Sequence, residues 1–294
     1  MDRSVVIIGS SGFLGRHLQS YLQQQGWQVI GLRRGENGWD GKSRGPWESS
    51  LVGATAVINF AGAPITLPWT KSNRDLILRS RLESTRVVGE ALGSLESPPA
   101  WINASAVGIY GNRGDEVLPE NSAPGSGFLA EVCLAWEAAL ADSPGSTGRR
   151  IALRTGIVLG SDGGALTPLA KLARIGLGGP LGNGHQWMPW IHVADHVHLV
   201  EFLIQSALSG PINAVGPAPV QNREFASSLR KTVRCPIGIP TPSFGLAFAA
   251  KLGGPDPSVL LNSTRVLPQR ALDAGFRFEY DNLASALAQC LPNV

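Results

Sequence analysis

The stretch that most restricts the fold is "SVVIIGSSGFLGRHLQSYL", residues 4–22. A β-branched apolar run gives way to three glycines spaced three apart, which open directly into a helical pattern predicted over residues 13–25. A strand that turns into a helix through such glycines is the first βα turn of a dinucleotide-binding sheet. Gly9 can make the tight turn, Gly12 lets backbone N–H groups approach a pyrophosphate, and Gly15 lets the helix pack close to the sheet. Ser10, Ser11, Phe13 and Leu14 fill the same loop and count with the glycines as candidate cofactor contacts. The start of the helix then faces the anion with its free N–H groups and the positive end of its dipole.

The same alternation continues. "WQVIGL", "TAVINFAG", a long helix around residues 70–94, "AWINAS", a helix over 127–140 and "RIALRTGIVLG" follow in turn. Continuous Val/Ile-rich strands separated by helices require a parallel sheet covered on both faces. The expected fold is therefore α/β, a Rossmann-type doubly wound parallel sheet over residues 1–162 with later segments completing the sheet. From about residue 163 Gly and Pro thicken in "RIGLGGPLGNGHQWMPWIH", which reads as an ordered loop between a helix and a short strand. A smaller, mostly C-terminal lobe is expected over 163–294, with a distinct tail from about residue 235.

Charge narrows the partners. The net charge is +3 and no window holds five like charges, so the basic run or stripe of a nucleic-acid or membrane surface is missing. No apolar run approaches the ~18 residues of a membrane span, and the first strand begins too early to leave room for a signal peptide. Cys133, Cys235 and Cys290 lie far apart with no Cys-x-x-Cys, which suits a reducing compartment. The expectation is a cytoplasmic protein that binds neither nucleic acid nor membrane.

The end of the second strand selects the cofactor. An NAD binder usually places Asp or Glu there to accept from the ribose 2′-hydroxyl, whereas this chain reads "VIGLRRGENG", with Arg33 and Arg34 at that point. A carboxylate would repel a 2′-phosphate, and guanidinium groups pair with it bidentately, so the expected cofactor is NADP(H). The plain alternative is two solvated arginines at a strand end.

At these residues the chain resembles the extended short-chain dehydrogenase/reductase superfamily, and within it an atypical subgroup of epimerase-family proteins, sometimes labelled cell-division inhibitors. The resemblance runs nearly end to end, through "GSSGFLG", "VINFAGAPI", "RSRLESTR", "SAVGIYGNRGDEVLPE", "AWEAA", "RTGIVLG", "GNGHQWMPWIHVAD" and "LPQRALDAGFRF". It implies that Asn59, Phe60, Ala61 and Gly62 lie along the adenosine and pyrophosphate side. It implies further that Arg81 reaches the cofactor from the long helix and that Val158 borders the nicotinamide. Arg81 has a local alternative in Glu83 or Asp75 on its own helix.

The resemblance also implies a Tyr-x-x-x-Lys pair on the helix "GFLAEVCLAWEAAL", the tyrosine acting as acid/base and the lysine lowering its pKa. Aligned through Glu137, the lysine position falls on Cys133 and the tyrosine position on Leu129, and neither can do that chemistry. The usual Ser or Thr position falls on Ala106, with Ser105 one residue off. Tyr110 is the nearest hydroxyl, but without a lysine it is a poor base at neutral pH. No catalytic residue is assigned.

His192 and His196 share a helical spacing beside Asp195 and His198; the reading here is structural, with Asp195 as a cap or anchor and no metal. His185, Gln186, Trp187 and Trp190 suit either a pocket lining or a rigid loop. Arg223, Arg230, Lys231 and Arg234 read as a solvated face. Two functions remain open: an NADP-dependent oxidoreductase or epimerase acting on an unknown small molecule, a sugar nucleotide by default, or a non-catalytic NADP(H)-binding sensor or regulatory protein.

Overall fold

In the first strand, β1 (Ser4–Ile8), successive side chains point to opposite faces. Val5 and Ile7 join one buried layer, and Val6 and Ile8 join the other. That two-sided burial dictates a sheet covered by helices above and below. The computed structural model describes residues 3–144, 148–251, 253 and 256–292.

From β1 the chain runs through α1 (Phe13–Gln24), β2 (Gln28–Leu32), β3 (Ala56–Asn59), α2 (Lys71–Gly93) and β4 (Ala100–Ala106). Next come β5 (Val117–Leu118), α3 (Phe128–Ala141), β6 (Arg150–Thr155), β7 (Ile157–Leu159) and α4 (Leu166–Arg174). They are followed by β8 (Trp187–Met188), β9 (Trp190–His192), α5 (Val193–Gln205), β10 (Gly210–Ala214), β11 (Val220–Gln221) and α6 (Asn222–Thr232). The C-terminal segment contributes α7 (Ser243–Lys251), α8 (Ser258–Leu261), β12 (Arg265–Val266), α9 (Gln269–Asp273) and α10 (Leu283–Cys290).

Six strands form the central sheet in the order β2-β1-β3-β4-β6-β10, every neighbouring pair parallel. This is the Rossmann-like doubly wound sheet, and its late strand β10 closes one edge. Leu18 and Leu22 of α1 and Leu199, Val200 and Leu203 of α5 cover one face. Val87 and Val88 of α2 and Leu140 of α3 cover the other. Each of these fully buried aliphatic side chains stabilises the packing by roughly 1.5–3 kcal/mol relative to exposure.

"RIALRTGIVLG" is not one strand. It breaks at Gly156: β6 stays in the central sheet, while β7 leaves it and pairs with β9. A Cβ on Gly156 would collide with the Pro189 carbonyl and stand 2.8 Å from Val215 Cγ1, so only glycine lets these backbones cross.

The C-terminal segment is tied to the sheet by two buried carboxylates. Asp195 of α5 accepts from the backbone N–H groups of Glu279 (2.7 Å) and Tyr280 (3.0 Å). Burial pushes its pKa up, opposed by those two donors. Glu120 accepts from the N–H of Asn213 (3.1 Å) in β10 and of Arg270 (3.2 Å) in α9. In addition β12 pairs in parallel with β5.

The histidines do not share a helix face. His192 is the N-cap of α5, its Nδ1 accepting from the Ala194 N–H at 3.1 Å and its Nε2 meeting Gln289 Oε1 at 2.8 Å. His196 lies fully buried beneath the sheet edge, with Nε2 3.3 Å from Thr155 Oγ1.

Candidate functional site

All six strands of the sheet are parallel, so their C-terminal ends share one edge, and the strand order reverses between β1 and β3. Ligands of open α/β sheets bind at such a reversal. Gly9 stands there with φ +82°, a left-handed conformation that favours glycine, and its N–H bonds the Leu32 carbonyl at 3.0 Å. A Cβ on Gly15 would strike the Gly9 carbonyl and stand 2.7 Å from Ser10 Cα. The missing side chain is what brings α1 against the loop. Gly12 is the N-cap of α1 and no side chain caps it, which leaves the first-turn N–H groups for an anion.

The loop side chains turn away from that cradle. Phe13 packs under the loop after β7, where Cβ atoms on Gly160 or Gly163 would come within 2.7 Å and 2.6 Å of its ring. His17 reinforces this contact by bonding Asp162 at 2.7 Å. Val158 joins Ile191 and Val193 in a small buried cluster beside Phe13 and Leu14. Ser10 is buried, and a Cβ on Gly31 of β2 would stand 2.7 Å from its Oγ.

Arg33 and Arg34 follow β2 directly and are both exposed. Arg33 donates to Glu36 at 2.9 Å across a half-exposed pair, an interaction of small net stability. Arg34 has no ion-pair partner among the described residues. Across the reversal, Asn59 is spent on architecture: its Nδ2 donates to Asn103 Oδ1 at 2.8 Å and its Oδ1 accepts from the Ala61 N–H at 3.0 Å. It shapes the turn that carries Phe60, Ala61 and Gly62, and a Cβ on Gly9 would stand 3.1 Å from the Phe60 carbonyl carbon.

Arg81 does not pair with the acids of its own helix. Asp75 bonds Arg79 at 2.7 Å, and Glu83 meets Lys42 at 3.5 Å. One Arg81 nitrogen donates to the carbonyls of Ala63 (3.0 Å) and Ile77 (2.9 Å), and its guanidinium sits 5.0 Å from the centre of a Trp136 ring. Desolvation lowers its pKa. A Cβ on Gly62 would stand 3.3 Å from its guanidinium carbon, which places Arg81 next to the candidate cofactor turn.

The position of the superfamily's acid/base pair is an apolar wall. Leu129 and Cys133 of α3 pack onto Gly108, whose Cβ would stand 3.2 Å from Leu129 Cβ and 3.7 Å from Cys133 Sγ. Burial, with the Glu137 charge nearby, pushes the Cys133 thiol up to about 12. Ser105 donates to Glu137 Oε1 at 2.6 Å, and Arg154 grips both Glu137 oxygens at 2.9 Å and 2.8 Å. Arg154 also donates to the Tyr110 hydroxyl at 2.9 Å, and that hydroxyl donates to Asn213 Oδ1 at 2.8 Å. Burial raises the Tyr110 pKa against the pull of Arg154. Both candidate hydroxyls are thus locked into a buried structural network.

Next to this wall opens a cavity of about 410 Å³. Its floor is the sheet edge at Ala106, Thr155 and Gly156; α3 contributes Leu129, Val132, Cys133 and Trp136. Leu169 and Leu172 come from α4, Phe225 and Leu229 from α6, and Leu246, Val259 and Leu260 from the C-terminal segment. Arg81 is the one charged side chain on this described lining. Trp187 lines the cavity, whereas His185 is exposed, Gln186 donates to the Leu181 and Leu260 carbonyls, and Trp190 is core. Arg223, Lys231 and Arg234 are exposed; Arg230, not itself on the lining, donates to the carbonyl of the lining residue Gly178 at 2.9 Å.

The family model for the NAD dependent epimerase/dehydratase family matches residues 5–216, and a second, described as a domain of unknown function, matches residues 241–290. The chain belongs to the NAD dependent epimerase/dehydratase family. Epimerase family protein Mb2239 of Mycobacterium bovis is 36% identical over 291 residues, spanning 96% of each chain. Human epimerase family protein SDR39U1 is 32% identical over 295 residues, spanning 97% of this chain and 98% of that one. The crystal structure of human SDR39U1 (isoform 2) with NADPH matches with a TM-score of 0.87 and 30% identity, covering 99% of this chain and 100% of that chain. A nucleoside-diphosphate sugar epimerase from Corynebacterium glutamicum matches with a TM-score of 0.81 and 32% identity, covering 99% of this chain and 58% of that chain.

Within this epimerase-family chain, the residues that sequence reading missed are the buried ions. Arg154 does carry a signal, since a cation inside the apolar strand "RIALRT" must find a partner. Glu120 carries none, because its partners lie 93 and 150 residues further along the chain.

Proposed function

We propose that this epimerase-family chain binds NADP(H) at the C-terminal edge of the sheet and holds a small-molecule substrate in the adjoining cavity. The observation that carries this reading is the cradle: Gly9 in a left-handed conformation, Gly15 with no room for a Cβ, and an uncapped α1 start, followed at the end of β2 by two exposed guanidinium groups. The residues present fit a dinucleotide that carries a 2′-phosphate. Ser11, Phe13, Leu14 and Gly15 offer the phosphates backbone N–H groups, on a turn shaped by Gly9, Ser10 and Gly12, whose own N–H groups bond the Leu32 and Gly9 carbonyls. Arg33 and Arg34 take the 2′-phosphate. Asn59, Phe60, Ala61 and Gly62 form the opposite lip, Arg81 stands where cofactor and substrate compartments meet, and Val158 backs the nicotinamide end.

When bound, NADPH supplies a hydride for reduction. The chain's own part is to orient the two ligands and to keep water from them with Leu129, Val132, Cys133 and Trp136. The lining places Thr155 at the sheet edge, its hydroxyl backed by His196 at 3.3 Å. One observation favours a second reading, a cofactor-holding protein without catalysis: Leu129 and Cys133 occupy the acid/base positions and neither exchanges a proton near neutral pH. Loss of bound NADPH on addition of carbonyl compounds separates the two, because only the first reading consumes the cofactor.

The compartment belongs to the same proposal. No helix among the described residues is long and apolar enough to cross a membrane. Cys133, Cys235 and Cys290 are all free thiols, which supports a reducing compartment such as the cytoplasm. The relative in Arabidopsis thaliana is named chloroplastic.

The test of the cofactor assignment is the double substitution Arg33→Ala/Arg34→Ala. NADPH affinity should fall about tenfold or more, since a hydrogen bond to a charged group contributes about 1.5–3 kcal/mol. NADH affinity should be unchanged. Equal losses for both cofactors overturn the assignment.

A further inference from the structure

We propose that the ligand of the 410 Å³ cavity is a largely apolar small molecule with a single anionic end, and that the C-terminal segment is the part of the chain that selects it. The proposal rests on the functional reading above only in placing this ligand beside the cofactor.

The wall decides the body of the ligand. Its volume suits a small molecule, and its surface is built from leucine, valine, tryptophan and phenylalanine side chains with Arg81 as the one charge on the described lining. A nucleoside diphosphate sugar brings two phosphate charges and a ring of hydroxyls. Each must surrender water on entering, and the lining offers one cation and few donors in exchange. A hydrocarbon or aromatic body loses nothing in the same transfer.

Arg81 decides the end group. Its guanidinium is half-buried, and every nearby acid is committed elsewhere: Asp75 to Arg79, Glu83 to Lys42 and Glu137 to Arg154. A partly desolvated cation with no carboxylate partner is a ready site for one anionic oxygen.

The C-terminal segment supplies one part of the wall. Leu246, Val259 and Leu260 face the cavity, with Ser258, Asn262 and Thr264 beside them. The segment is held by real anchors rather than by the wall itself: Ser263 accepts from the Trp187 N–H at 3.1 Å and donates to the Gly114 carbonyl at 2.7 Å. The apolar lining also continues outward. Leu172 and Leu177 belong to it and are 44% and 43% exposed, and Ile237 beside them is 62% exposed. An apolar molecule thus meets an apolar surface from solvent to cavity.

The experiment uses the full chain saturated with NADPH and three probes, decanoate, decanol and UDP-glucose, followed by calorimetry. Decanoate should bind, decanol more weakly, and UDP-glucose should give no heat at the same concentration. Arg81→Gln should weaken decanoate about tenfold and change decanol less than about twofold. Leu246→Glu should weaken both aliphatic probes about tenfold or more while NADPH affinity holds. Leu172→Glu, at a half-exposed position, repeats that test if Leu246→Glu fails to fold. UDP-glucose binding tighter than decanoate overturns the proposal, as does decanoate binding that ignores both glutamate substitutions. Arg81→Gln that weakens NADPH but not decanoate assigns the guanidinium to the cofactor and overturns the single-anion end. If wild-type protein binds no NADPH, the functional reading fails; if it binds NADPH but no decanoate, only this inference fails.

Discussion

The glycine loop between β1 and α1 and the α3 wall border the same edge of the sheet, yet one is made of backbone and the other of side chains. On the loop side, the proposed binding groups are N–H donors on a turn that closes because Gly9 and Gly15 lack Cβ atoms. On the α3 side, the superfamily's proton chemistry would need two specific side chains, and Leu129 and Cys133 stand there instead, backed by the Glu137–Arg154 ion pair. A backbone-built site is specified by where side chains are missing and is complete once the turn closes. A side-chain site is lost with one substitution. The proposed cofactor cradle is therefore complete next to positions aligned with the acid/base pair that carry neither a hydroxyl nor an amine.

The strongest way to break this comparison is at the loop. Gly15→Val forces a branched side chain into the Gly9 carbonyl and Ser10 backbone, so α1 must move off the loop. NADPH affinity should fall by about a hundredfold or more, which corresponds to about 2.8 kcal/mol or more of lost binding. Unchanged affinity in titration would mean the anion does not sit at this turn.

On the α3 side the expected effect is on stability rather than on the cofactor. Arg154→Met leaves Glu137, Ser105's partner, without its cation and removes the donor to the Tyr110 hydroxyl, a loss of about 3–5 kcal/mol by denaturant unfolding. Adding Glu137→Leu should recover part of it, since the unpaired charge goes too. NADPH binding should persist in both variants. A proportional loss of cofactor affinity would tie this network to the cradle and blur the contrast.

A smaller effect comes from pH. Burial drops His196 from the usual 6.5 to about 4 in the folded chain. Above pH 6.5 both states hold a neutral ring; between 6.5 and 4 the unfolded state binds the proton and the folded state does not. Stability therefore falls as the pH drops through that window, by up to about 3 kcal/mol from this group. Burial lowers His192 as well, with the same sign. His196→Phe should flatten the wild-type slope over that range in thermal unfolding, and an unchanged slope would show that other groups carry it.

How much of this was legible followed from range. β1, β2, β4, α1, α2, α3 and the glycine turn are local patterns, and their residues predict them within one or two positions of where they fall, whereas "TAVINFAG" overruns β3 by three residues. The apolar character of Leu129 and Cys133 was equally plain. The break at Gly156 was not, because the Pro189 carbonyl that forces it comes from β8–β9, distant in sequence. His192 and His196 looked like one helix face because their spacing is helical, but His192 is the cap and its partner Gln289 is 97 residues away. Asp195 read as an anchor, although only the structure shows that it holds Glu279 and Tyr280. Arg33 kept a local ion pair with Glu36 that composition alone could not rank against a phosphate.

The most direct test of the account is a calorimetric titration of the unmodified chain with NADPH and, in parallel, with NADH. The account predicts saturable binding of one NADPH per chain and much weaker binding of NADH. Binding of neither, or equal binding of both, would contradict it: the first would make the glycine loop a structural turn, and the second would remove Arg33 and Arg34 from the cofactor site.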